Sequence, residues 1–205
     1  MKKINDIFYS LQGEGRNTGR AAVFVRFSGC NLRCPFCDTE FDTGRLMTDR
    51  EILDQMMQAG PLSYPAGGLL AVLTGGEPAL QADEPFVSLL QRHGFEVAME
   101  SNGTRPVPAN LDWLTLSPKG SAPRLSAARH PDELKLVFDE HTDPEALLRG
   151  YAEPAALAGT LLYLQPCDTG DERRNRAILD ACLSYIRRHP RWRLSLQTHK
   201  LAGFK

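Results

Sequence analysis

Six apolar runs in this chain end alike, each passing without a spacer into a polar or glycine-rich cluster. The runs are Ala21–Phe27, Leu69–Leu73, Glu96–Glu100, Trp113–Leu116, Thr160–Leu164 and Arg193–Leu196. The clusters are Arg26 with Ser28–Cys30, Thr74–Pro78, Ser101–Thr104, Ser117–Lys119, Gln165–Asp168 and Gln197–Lys200. Runs of this kind, with a seventh at Leu134–Phe138, read as strands. Asp49–Gln58, Glu84–Arg92, Pro144–Arg149 and Asp171–Arg188 read as helices between them, the first capped by Thr48 or Asp49 with Ile52, Leu53, Met56 and Met57 as its inner stripe. Alternating strands and helices predict an α/β protein. In barrels of parallel strands the loops at the C-terminal strand ends share one face, so six polar clusters in phase predict one site assembled from the whole chain. Any one polar loop is ordinary; six in step are not.

Length limits the barrel. The 205 residues suit a single domain, 1–205, whereas a complete eight-stranded barrel takes ~250. Arg105–Asp112 is too short for a crossover helix, because parallel strands need about a dozen residues between them. The predicted fold is therefore α/β, a partial, open (βα) barrel of parallel strands with fewer helices than strands.

Net charge is −1, with both signs interspersed, which lacks the basic footprint of a nucleic-acid binder and leaves a small molecule as the expected partner. No apolar run approaches the ~20 residues of a membrane span. The start, MKKINDIFYS, has lysines with no apolar core behind them and does not read as a signal peptide. The expected location is cytoplasmic. Five cysteines in that reducing compartment argue against disulfides, and three of them, Cys30, Cys34 and Cys37, fall within eight residues. Such clustering reads as metal binding. Cys167 and Cys182 stand alone and read as ordinary small residues.

A closed zinc site wants a fourth ligand. Asp38 is too close in sequence to serve, and His93 belongs to no paired motif. A [4Fe–4S] cube also commonly takes four cysteines, so three would leave one iron open to a ligand. The bland alternative is a zinc knuckle followed by a tight turn. The spacing C-x3-C-x2-C, with Phe36 before the last cysteine, resembles the radical S-adenosylmethionine (SAM) signature, and Gly75-Gly76-Glu77-Pro78 resembles that superfamily's GGEP motif. The resemblance implies that the open iron takes the amino and carboxylate groups of SAM and that electron transfer releases a 5′-deoxyadenosyl radical.

Further segments narrow the family. They are Leu11-Gln12-Gly13-Glu14-Gly15, Val23–Phe27, Gly29–Leu32, Cys37-Asp38-Thr39, Ser101–Thr104, Ser117-Pro118-Lys119, Glu133-Leu134-Lys135, Gln165–Asp168 and Gln197-Thr198-His199-Lys200-Leu201. Together they resemble the 7-carboxy-7-deazaguanine synthase family of queuosine and 7-deazapurine biosynthesis. That implies a carbon–nitrogen lyase dependent on SAM and Mg²⁺, which contracts 6-carboxy-5,6,7,8-tetrahydropterin to 7-carboxy-7-deazaguanine with loss of ammonia. It also implies a homodimer and an electron donor such as flavodoxin or ferredoxin, with no nucleic acid and no membrane.

The family's roles carry over by position. Cys30, Cys34 and Cys37 match the cluster ligands. Phe36, Cys37, Asp38, Gly76, Glu77, Ser117, Pro118, Lys119, Gln165, Pro166, Cys167 and Asp168 match positions that hold SAM. Leu11, Gln12, Gly13, Arg26 and Thr74 match substrate positions, and Glu14 is suited to accept from an aminopyrimidinone edge. An Arg26 guanidinium suits a substrate carboxylate. Thr39 matches a Mg²⁺ ligand, in keeping with magnesium's preference for oxygen. No side chain is expected as a catalytic acid or base. His199 reads as architectural or as a shelf for substrate, while His93, His130, His141 and His189 carry no motif. There are two departures: the carboxylate that enters the site in the family would here belong to Lys205, and an ETNGT-like segment reads Glu100-Ser101-Asn102-Gly103-Thr104. Two competitors remain. An activase that passes its radical to a protein glycine would need an extended groove, whereas a pterin enzyme needs a closed pocket. A zinc-binding interaction module would purify colourless.

Overall fold

The computed structural model describes residues 1–37, 39–61, 68–119, 130–151 and 157–205. Among these, nine strands form one sheet: β1 (Lys2–Leu11), β2 (Ala21–Phe27), β3 (Arg45–Met47), β4 (Leu69–Gly75), β5 (Phe95–Ser101), β6 (Trp113–Leu116), β7 (Glu133–Phe138), β8 (Leu161–Pro166) and β9 (Trp192–Leu194). The helices are α1 (Asp49–Ala59), α2 (Glu84–Arg92), α3 (Pro144–Tyr151), α4 (Glu172–Arg188) and α5 (Thr198–Ala202). The strand order is β3-β1-β2-β4-β5-β6-β7-β8-β9, so β3 and β9 are free edges and the barrel stays open. From β2 to β9 every pairing is parallel, while β1 runs antiparallel to both β2 and β3.

The helices start where their side chains can satisfy free backbone N–H groups. Thr48 and Glu51 form a reciprocal capping box on α1, with Thr48 N–H donating to Glu51 Oε2 at 2.7 Å. Asp83 accepts from Phe86 N–H at 3.0 Å to start α2. Asp171 accepts from Arg174 N–H at 2.8 Å to start α4. Each such cap contributes about 1 kcal/mol.

Period-two alternation divides the strands between two cores. Val23, Val25, Phe27, Ala71, Leu73, Val97 and Met99 pack under the helices against Ile52, Met56, Phe86 and Leu90. On the opposite face Ala22, Phe24, Leu70, Val72 and Ala98 form a small separate cluster with Phe8 and Trp113. That face is the inside of the open barrel.

Four sequence expectations change. β1 and β3 were not anticipated, because polar residues interrupt KKINDIFYSL and RLM is only three residues long. The sheet is therefore only mostly parallel. Met57 is 42% exposed; it sits one step past the stripe of Ile52, Leu53 and Met56 and faces outward. β8 continues through Pro166, so Gln165 and Pro166 belong to a strand end rather than to a loop. The predicted strand Arg193–Leu196 shortens to Trp192–Leu194, and the terminal polar cluster folds into α5. The short link between β5 and β6 carries no helix, as its length requires.

Candidate functional site

A cavity of about 430 Å³ opens over the C-terminal ends of the parallel strands. Its walls follow from strand alternation. Two residues beyond Phe24, Val72 and Ala98, the inner face continues as Arg26, Thr74 and Glu100, and all three line the cavity. Arg26 and Thr74 are direct register partners across β2 and β4. The same face of later strands adds Ser117, Lys135, Val137 and Gln165. The floor is thus apolar and the rim is polar.

The cysteine loop forms one wall, with Cys30, Cys34 and Cys37 all lining the cavity. Its root is fixed by backbone bonds: Gly29 N–H donates to Phe41 O at 2.8 Å, and Glu77 N–H donates to Gly29 O at 2.9 Å. Gly76 lies so close that a Cβ there would fall 1.9 Å from Gly29 O. Only glycine allows this approach of two backbones. Gly75 has φ +112° and a Cβ there would meet Phe27 O at 2.4 Å.

Burial pushes the Cys30 thiol up, and Glu77 and Cys37 push it further. Burial likewise raises Cys34, with Cys37 and Cys30 adding to it and Lys119 opposing. The three thiols therefore share one field. Among the described residues no three His, Cys, Asp or Glu side chains sit close enough to ligate a single ion. Donors do point at the sulfur: Leu32 N–H lies 3.4 Å and Asn102 Nδ2 3.9 Å from Cys30 Sγ. Hydrogen bonds to cysteine sulfur tune iron–sulfur clusters, so this donor set suits a thiolate-held cluster.

The opposite wall is charged. Lys135 Nζ donates to Glu14 Oε2 and, at 3.2 Å, to Glu100 Oε2, with the lysine side chain 4% exposed. Gln12 Nε2 donates to Glu100 Oε1 at 2.8 Å, and Gln197 Nε2 to Glu14 Oε1 at 3.0 Å. Burial alone would raise the Glu14 carboxyl, but the ammonium beside it prevails and holds it at about 2. Burial also works against the Lys135 ammonium, and Glu100 and Glu14 overcome it, leaving the lysine above its ordinary value. Burial lowers Lys119, aided by the like charge of Lys135. Behind this wall, burial pushes Glu133 up to about 6, against the Arg16 N–H it accepts at 2.9 Å. Asp168 is held at about 2, chiefly by Lys200, which donates to it at 2.8 Å.

The fold brings most of the expected site residues to this cavity: Leu11, Gln12, Gly13, Glu14, Arg26, Phe36, Thr39, Thr74, Gly76, Ser117, Lys119, Gln165, Pro166, Cys167, Asp168 and Lys205 line it beside the three cysteines. Glu77 does not join them. It is fully buried, accepting from Asn102 N–H, Ser101 Oγ and Ala79 N–H. Pro118 is buried behind the wall, and Asp38 lies outside the described residues. Phe8, Phe24, Phe41, Glu100, Asn102, Lys135 and Gln197 line the cavity without having been assigned a binding role from sequence, and His199, read as architectural or as a shelf for substrate, lines it too. For Lys135 a signal existed: it is an ionisable residue held between Leu134 and Leu136 in the apolar run of β7. His199 packs against Gly13, where a Cβ would meet His199 Nδ1 at 2.6 Å.

Residues 24–138, from β2 to the end of β7, match the Radical SAM superfamily. Over 205 residues the chain is 45% identical to the 7-carboxy-7-deazaguanine synthase of Bacteroides thetaiotaomicron, with 100% of both chains covered. It is 44% identical to that of Nitratidesulfovibrio vulgaris, covering 98% of each. Its fold is similar to the crystal structure of QueE from Escherichia coli, with TM-score 0.70 and 27% identity over 95% of this chain and 93% of that one.

Proposed function

Because the chain belongs to the radical SAM superfamily and, within it, to the 7-carboxy-7-deazaguanine synthases, we propose that the cavity over the strand ends seats 6-carboxy-5,6,7,8-tetrahydropterin between the cysteine loop and the Glu14–Lys135–Glu100 wall. The enzyme makes 7-carboxy-7-deazaguanine, in queuosine and 7-deazapurine biosynthesis, as a SAM- and Mg²⁺-dependent carbon–nitrogen lyase.

The observation that carries the residue assignment is the convergence of both chemistries on one cavity. Cys30, Cys34 and Cys37 line one side and a carboxylate-rich, donor-reading wall lines the other. When bound, the [4Fe–4S] cluster and SAM supply the radical that removes hydrogen from C6 of the pterin. The chain's own residues do the rest. Gly76 lets the strand end approach SAM, and Ser117, Lys119, Gln165, Pro166, Cys167 and Asp168 line the space around it. Phe36 and Cys37 close its cluster side, with Asp38 next in sequence. Glu77 and Pro118 support these loops from behind.

Arg26 and Thr74, paired at the ends of β2 and β4, meet the substrate carboxylate, and Thr39 offers an oxygen to Mg²⁺. Leu11, Gln12, Gly13 and Glu14 meet the aminopyrimidinone edge, and Lys205 closes that side. Phe8 and Phe24, stacked at 4.9 Å, form an apolar floor that keeps water from a reactive ring. An electron donor of the flavodoxin or ferredoxin kind primes the cluster. The expected assembly is a homodimer and the expected location cytoplasmic.

Reconstituted protein incubated anaerobically with SAM, reductant and carboxytetrahydropterin should yield 7-carboxy-7-deazaguanine by mass spectrometry. SAM cleavage with the pterin left intact would overturn the substrate assignment.

A further inference from the structure

We propose that Lys135 is a positioning residue for the substrate: its one ammonium holds Glu14 and Glu100 side by side as carboxylates, and their remaining lone pairs form an acceptor row that selects a heterocycle with adjacent N–H donors. This inference rests on the pterin reading of the cavity. Lys135 is buried in the middle of β7, between Leu134 and Leu136, which face the helix-packed core. An ammonium so placed survives only with charged partners. Two other elements provide them, Glu14 from the loop after β1 and Glu100 from β5. Among the described residues, Glu133, at the start of its own strand, and Lys119, after β6, also face it.

The carboxylates are aimed as well as neutralised. Gln197 Nε2 holds the other oxygen of Glu14 at 3.0 Å and Gln12 Nε2 that of Glu100 at 2.8 Å. A carboxylate has about four lone-pair sites, so each keeps acceptors for the cavity that both line. Without Lys135, two half-buried carboxylates facing one space would repel each other, and a proton retained between them would turn an acceptor into a donor. The edge this wall reads is guanidine-like, an N–H beside an NH2. A 2,4-dione ring presents a carbonyl there instead, against the carboxylates.

The test compares Lys135→Met with wild-type holoenzyme, titrating carboxytetrahydropterin and SAM separately from about pH 6 to about pH 9. Substrate affinity of the variant should fall on the order of ten- to a hundredfold near neutral pH. The loss should shrink as pH rises and the retained proton leaves, while the wild-type profile stays flat above the range in which Glu133, at about 6, ionises. SAM affinity and cluster absorbance should not change. The double variant Lys135→Met with Glu100→Gln removes the repulsion, so it should flatten the profile and recover part of the affinity. If the Met variant does not fold, Lys135→Gln carries the same test, since its amide removes the charge but still donates hydrogen bonds. A loss that is independent of pH, a parallel loss of SAM binding, or no loss at all would overturn the proposal. Failure of the wild type to convert the pterin would sink the substrate reading itself, which separates the two.

Discussion

The Glu77 carboxylate accepts the backbone N–H of Asn102 at 2.7 Å, so the glycine-rich loop after β4 holds the end of β5. It also takes Ser101 Oγ and Ala79 N–H, both at 2.9 Å. Glu77→Leu would leave three donors without an acceptor. Urea unfolding of the metal-free protein should show a loss on the order of 3 kcal/mol, against about 1 kcal/mol for Glu77→Gln, which keeps one acceptor oxygen. An unchanged midpoint in the leucine variant would show that these bonds hold nothing.

Changing Cys30, Cys34 or Cys37 to Ala should remove iron and activity together, because all three thiols line the cavity. Cys167→Ala and Cys182→Ala should keep their iron; Cys182 is fully buried in the helix-side core, where burial pushes its thiol up to about 12. Iron analysis after anaerobic reconstitution decides the matter. Loss of the cluster from the Cys182 variant with retention in Cys34→Ala would refute the ligand set.

Arg26→Ala should weaken pterin binding about ten- to a hundredfold, the effect of about 1.5–3 kcal/mol lost with a charge-assisted bond. SAM binding should be nearly unaffected. Arg26→Lys should recover part of the loss, since it restores the charge without the planar fork. Paired anaerobic titrations of both ligands check this; equal falls in SAM and pterin affinity would make Arg26 structural or cofactor-binding.

Glu133 gives a pH signature of stability. Its folded carboxyl stands at about 6, above the ordinary 4.5, so the fold favours the protonated form. The associated stability is complete below 4.5 and is lost as pH rises to 6. That gap corresponds to about 2 kcal/mol. Glu133→Gln should therefore be the more stable protein above pH 6, by about that amount, with the gain vanishing toward pH 4.5. Denaturant midpoints across this range test the sign; a glutamine variant that is weaker at neutral pH contradicts it.

Strand phase explains how much of the architecture was legible. Trp113–Leu116 is an apolar run that burial on the helix side preserves, and it appears with the expected bounds. β1 escaped because Asn5, Asp6 and Ser10 break its pattern; Asn5 bonds to Glu40, and Asp6 and Ser10 meet Lys205, instead of a core. The cysteine and glycine loops were legible because their chemistry depends on residue type and spacing. Lys135 and Glu100 were harder to assign. Their meaning comes from a partnership between distant strands, β7 and β5, and spacing along the chain does not encode which charges meet across a barrel.

The backbone bonds that join Gly76 and Glu77 to Phe27 and Gly29 continue the β2–β4 ladder into the cysteine loop. This bears on maturation. The root of the loop is set by the sheet itself, so the protein can complete its fold first and receive iron afterwards. Loading a loop already seated on the sheet carries a small entropic cost beside that of organising a whole domain around metal. A protein built in that sequence can wait in its apo form for the cluster-assembly machinery, and one that loses its cluster to oxygen can be repaired without being refolded.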